Sequence, residues 1–207
     1  MRDGTIRRMT RRDMRREATR ANVIEAARKV FLSEGYEGAT IKMIADSAKV
    51  SPGTVLNAAP SKAALLIQIL KDEYEGIRDA GDRLEASLSG SVLDRLAGLL
   101  QVSLEAQSRH GELFAAAIGH SWRWTDPVYQ ETFEQMSDAW EPVARVVKDG
   151  VKSGELRAGL DVDAVTSVLE DVYLGVLRRV RREELDQAAA SALMRERIAL
   201  VLDGLKA

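Results

Sequence analysis

Residues 51–62 read SPGTVLNAAPSK, and this stretch decides what kind of chain the protein is. Ser51 is a capping residue, since its hydroxyl can accept a backbone N–H two or three residues on. Pro52 follows at the first helical position, where a missing N–H costs nothing. A short helix therefore opens at Pro52 and is broken by Ala59-Pro60, and Ser61 caps a longer one running to about Asp79. Just upstream, KVS makes a tight turn. Before it lies Ile41–Ala48, with Thr40 as cap and Ile41, Ile44, Ala45 and Ala48 on one face at helical spacing. Two short helices joined by so small a turn form a helix-turn-helix.

Working outward, a first helix is expected from Glu17 to Glu34, burying Ile24, Ala27, Val30 and Phe31 and ended by Gly35. Nothing reads as strand. Beyond the fourth helix, apolar residues keep helical spacing over 91–108, 112–121, 127–153, 161–183 and 188–205. The expected fold is all-α, with an N-terminal three-helix head (17–70) on a helical bundle (71–207).

Charge divides the same way. Residues 1–70 carry 13 Lys or Arg against 7 Asp or Glu, whereas the remainder carries 17 against 25. The first sixteen residues form a basic arm containing Arg7, Arg8, Arg11, Arg12, Arg15 and Arg16. A cationic front on an acidic body implies a polyanion for the front alone. The alternative for such an arm is a solubilising tail. The absence of cysteine excludes disulfides and thiolate chemistry. No apolar run nears the ~20 residues of a membrane span, and the N-terminus has no apolar signal core, so a cytoplasmic protein is expected.

From Thr19 to Leu70 the chain resembles the DNA-binding domain of TetR-family transcriptional regulators. The resemblance rests on Phe31, Gly35, Tyr36, Thr40, Ile44, Ala45, Ala48, Val50, Ser51, Gly53, Thr54, Ser61, Lys62, Leu65 and Leu66. It implies that Thr54 and Lys62 hold the DNA backbone, and Thr40, Lys49, Ser51, Pro52 and Gly53 are expected in the same DNA-binding surface. Asn57 projects from that helix, and its amide suits the N7/N6 edge of adenine. Three positions depart from the family pattern: Lys49 replaces the turn Gly, Leu56 a phosphate-holding Tyr, and Ala59 a Phe wedge. If Lys49 keeps a left-handed backbone, strain of about 1 kcal/mol follows. The arm is expected to enter a neighbouring minor groove and restore the grip that Leu56 cannot supply.

Six aromatics crowd 114–140, namely Phe114, Trp122, Trp124, Tyr129, Phe133 and Trp140, with His120 and Met136 among them. With Tyr173 they are expected to wall an effector cavity for an apolar or aromatic molecule, the alternative being a filled core. The last two segments carry apolar faces that fit either a core or a two-fold contact. Val165, Leu169, Val172 and Val176, then Leu193, Ile198, Val201 and Leu202, are assigned to the contact. His110 and His120 lie on different segments, and no metal-ligand or catalytic spacing is present, so neither an enzyme nor a cofactor is expected. The reading is a ligand-responsive regulator, more a repressor than an activator, binding a palindromic operator as a homodimer. The alternative left open is an interaction or ligand-binding protein of the same fold without a defined operator.

Overall fold

The computed structural model describes residues 10–120 and 138–206, apart from the side chains of Ser108 and His120. Described residues include the helices α1 (Arg11–Gly38), α2 (Ile41–Ala48), α3 (Pro52–Ala58), α4 (Lys62–Glu85), α5 (Val92–Arg109), α6 (Gly111–His120), α7 (Glu141–Ser153), α8 (Val162–Glu183) and α9 (Gln187–Asp203). Among them the only β pairing is a single bridge, Leu156 to Lys206. The architecture is all-α. Of the described residues, 10–70 and 112–120 form one compact unit, the head, and 71–111 with 138–206 form a second, the body.

The head begins earlier than the sequence suggested. Thr10 and Asp13 close a reciprocal cap, the Asp13 N–H donating to the Thr10 hydroxyl at 3.2 Å and the Thr10 N–H to the Asp13 carboxylate at 3.0 Å. Those bonds from Thr10 hold the Asp13 carboxyl below its ordinary range. Arg11 to Arg16 are therefore helical, and an extended arm over those residues is not what forms. Val23, Ala26, Ala27, Val30 and Phe31 make the buried stripe of α1, with Ile24 only half-buried. Gly35, at φ 71°, breaks the helical path, and Tyr36 folds back edge-on to Phe31 with ring centroids 5.3 Å apart. α1 packs on α2 and α3.

Both predicted caps of the central motif form. Thr40 accepts from the Met43 N–H, and Ser51 from the Thr54 N–H at 3.1 Å. Lys49 is left-handed at φ 57°, its N–H closing α2 onto Asp46. Lys49→Gly is expected to raise stability by about 0.5–1 kcal/mol, since glycine adopts this backbone without the Cβ clash. An unchanged urea midpoint would show that Lys49 is not strained.

In the body, α5 packs on α7 and α9, and α8 packs on both of these. The run expected over 127–153 is interrupted, because residues 139–140 form a turn and Pro142, lacking an N–H, sits in the first turn of α7. Residues 127–137 lie outside the described residues. α7 crosses α5 closely at Gly150, where an added Cβ would stand 2.6 Å from the Val92 Cγ2 and 3.0 Å from Leu156. Five residues assigned above to a two-fold contact are instead interior to the single chain: Val165, Leu169, Val176, Ile198 and Leu202 are buried. Their stripes face neighbouring body helices. Val172, Leu193 and Val201 are half-buried, and the exposed large apolar residues of α8 and α9 are Val168 and Leu200.

Candidate functional site: a reading helix and a body cavity

In the head, α3 divides its short run cleanly. Val55 is fully buried, while Leu56 is 47% exposed and Asn57 is exposed beside it. Ser51, Pro52 and Gly53 are exposed at the start of the helix, and Thr54 is half-buried. The Thr54 and Ser51 hydroxyls lie 2.9 Å apart. The carbonyl that ends α2, that of Ala48, accepts from the Asn22 amide of α1 at 2.9 Å, which fixes the turn before α3. Arg20 of α1 donates to the Gln68 side chain at 2.7 Å. The motif thus presents one outward face, carrying Leu56 and Asn57.

Lys62 does something that its sequence position did not suggest. Its ammonium donates to the carbonyls of Tyr36 (2.6 Å), Glu37 (3.3 Å) and Ala39 (3.2 Å) and lies 4.5 Å from the centre of the Tyr36 ring. An ammonium has three protons, and all are used here. Lys62 therefore ties the start of α4 to the α1–α2 connection, and a phosphate contact from it is corrected to this structural one.

The body holds a cavity of about 40 Å³, room for a water or two. Ile77, Leu99, Leu100, Pro142 and Val143 give it an apolar wall, and Tyr74, Ser103, Gln107 and Tyr173 supply polar tips. None of its lining residues among the described residues is charged. Trp140 stands edge-on to Tyr173, centroids 5.5 Å apart. The Tyr173 hydroxyl is buried without a hydrogen-bond partner among the described residues. Burial pushes this phenol upward, Tyr74 adds to the shift, and Ser103 works against it. Burial likewise raises the Tyr74 phenol and the Glu170 carboxyl. Beside the cavity, Arg145 of α7 forks onto Asp82 and Glu85 at the end of α4, 2.8 Å from Glu85 through Nε, and Gly81 lies against Pro142.

Residues 23–69 match the family described as bacterial regulatory proteins, tetR family. The transcriptional regulator UidR of Escherichia coli (strain K12) is 26% identical over 189 residues, spanning 85% of this chain and 88% of its own. The repressor AcnR of Corynebacterium glutamicum is 22% identical over 163 residues, 78% of this chain and 81% of its own. The fold is shared with FadR of Thermus thermophilus, a TetR-family repressor solved with lauroyl-CoA. Its TM-score is 0.70 and its identity 23%, over 91% of this chain and 95% of that one.

The chain resembles tetR-family regulators, through residues 23–69.

Within the tetR-like segment, the structure brings Thr40, Lys49, Ser51, Pro52, Gly53, Thr54 and Asn57 together around α2 and α3. Trp140 and Tyr173 meet at the cavity, whereas Phe114, buried on α6, is not in its lining. Arg7 and Arg8, and Trp122, Trp124, Tyr129, Phe133 and Met136, lie outside the described residues, as does the side chain of His120, which ends α6. Tyr74, Ser103 and Gln107 were missed by sequence reasoning, since single polar residues on amphipathic helices carry no local signal. No helix among the described residues is long and apolar enough to cross a membrane.

The corrected role of Lys62 is testable. Lys62→Met is expected to destabilise the head by about 2 kcal/mol, as three carbonyls lose a charged donor. It should leave the salt dependence of DNA binding unchanged. A slope reduced by about 0.9 would restore Lys62 as a phosphate ligand.

Proposed function

We propose that this chain is a DNA-binding transcriptional repressor, acting as a pair of copies on a palindromic operator and released by a small, largely apolar effector. The observation that carries the reading is α3 itself: capped by Ser51, anchored through Val55, and showing Leu56 and Asn57 outward. Leu56 supplies an apolar contact for a thymine methyl and Asn57 a paired donor and acceptor for adenine. The α3 N-terminus favours a phosphate oxygen. Similarity to the transcriptional regulators UidR and AcnR supports the same reading.

The uncharged, mostly apolar cavity supports an effector of like chemistry. At about 40 Å³ it is far smaller than the ~300 Å³ of an ordinary ligand site, so binding requires a more open state. An effector would select that state and draw α4 from α7 against Arg145 and the Gly81–Pro142 contact. Because α4 has residues in both units, its movement would couple effector to operator, with a typical coupling of ~1–3 kcal/mol.

The test is a footprint on the DNA flanking the protein's own coding region at physiological salt, repeated with Asn57→Ala. A protected palindrome is expected, with affinity lowered by about 1–3 kcal/mol in the variant at one base step per half-site. Protection no better than on mixed-sequence DNA would instead support the interaction protein without an operator.

A further inference from the structure

The first two turns of α1 belong to no core. Every residue from Arg11 to Ala18 is exposed, and the first buried side chain of the helix is Val23. At 1.5 Å per residue, Arg11 therefore stands about 18 Å beyond the point where α1 enters the head. At 3.6 residues per turn, Arg11, Arg12, Arg15 and Arg16 share roughly 140° of the helix circumference, and Asp13 and Glu17 fall on the opposite side. Arg11, Arg12 and Arg15 have no ion pair among the described residues, and Arg16 only helps to lower the Asp13 carboxyl through space. The result is a cationic ridge with its own anions turned away from it.

Resting on the DNA-binding reading above, we propose that this ridge is a helical rail for the phosphodiester backbone of duplex DNA, outside the bases that α3 reads. Dimensions decide its mode. A helix with side chains is about 10–12 Å across and the minor groove about 6 Å wide, so residues 11–16 cannot enter that groove as an arm would. They can lie along a phosphate strand, with two pairs of guanidinium groups about 6 Å apart along the helix. Location agrees. Asn22, two turns further along the helix, holds the Ala48 carbonyl at the end of α2, so the rail leaves the head beside the turn into α3. Chemistry chooses DNA over a lipid surface. A surface-binding helix needs an apolar face, and here the side away from the arginines carries Thr10, Asp13, Glu17 and a lone Met14. Such a rail adds affinity without base preference, and it compensates for a reading helix in which Leu56 cannot hold a phosphate.

The experiment compares the full chain with two variants on two duplexes, the footprinted sequence and a mixed-sequence duplex of equal length, by anisotropy across a salt series. In the first variant Arg11, Arg12, Arg15 and Arg16 are all changed to Gln. Its salt slope should fall by about 3–4, each lost phosphate contact contributing about 0.9, on both duplexes alike. Between 50 and 200 mM salt the unaltered chain then loses affinity about 100-fold more steeply than this variant. The second variant, Met14→Pro, keeps all four charges but removes the Met14 N–H to Thr10 bond and breaks the helix. It should lose most of the same slope. Circular dichroism should show the helices beyond residue 20 retained in both variants. An unchanged slope in the first variant overturns the rail, and so does a fall confined to the footprinted duplex. Binding by Met14→Pro equal to that of the unaltered chain shows a flexible arm and overturns it too. So does retention on phosphatidylserine vesicles in place of duplex. If no sequence is footprinted, the operator reading fails by itself, and the slope on mixed-sequence DNA still decides the rail.

Discussion

Phe31→Ala is expected to cost the head about 3–5 kcal/mol and to abolish specific DNA binding while the body stays folded. Phe31 is fully buried, and its ring supports that of Tyr36. The Tyr36 ring in turn lies under the Lys62 ammonium, and the Tyr36 carbonyl takes the shortest of the three Lys62 bonds. One truncation thus empties a cavity in the head and loosens the latch that joins α4 to it. A unit of about seventy described residues buries little surface, and its stability of several kcal/mol cannot absorb such a loss. Hydrogen exchange followed by peptide should show fast exchange over α1–α3 and native protection over α5, α7, α8 and α9. Native protection across the head would mean that its packing does not depend on Phe31.

The second large effect concerns α8. Leu169→Ala is expected to destabilise the isolated chain by about 3–4 kcal/mol, because the side chain is completely enclosed and its neighbours cannot close the void. Leu200→Ala, at 63% exposed, should cost under about 0.5 kcal/mol in a single copy. Urea unfolding at low protein concentration separates the two roles. A Leu169 effect that vanishes on dilution would return this residue to the two-fold contact assigned from its sequence. A concentration-dependent effect of Leu200→Asp would instead place the pairing face at Val168 and Leu200.

What could be read beforehand follows the range of the interactions. Thr40 and Ser51 announce their helices through bonds spanning three residues, so the central motif is legible locally. The start of α1 depends on an equally local signal, Thr10 followed by Asp13, but it is obscured by the arginines around it. Lys62 was legible as a position and not as a partner, since the carbonyls it serves lie 23 to 26 residues away. Periodicity marks Leu169 and Ile198 as apolar without saying what covers them. The cavity is harder still, because Tyr74, Ser103, Trp140 and Tyr173 come from separate parts of the chain and converge only when the body is folded.

Gly150 lies far along the chain from α3, yet its closeness to Val92 and Leu156 leaves no space for even a methyl group. Evolutionary drift is therefore blocked at this site by geometry alone. Whatever descendants of this chain come to bind, they must keep hydrogen as the side chain at 150 or rebuild the crossing of α5 and α7 around it.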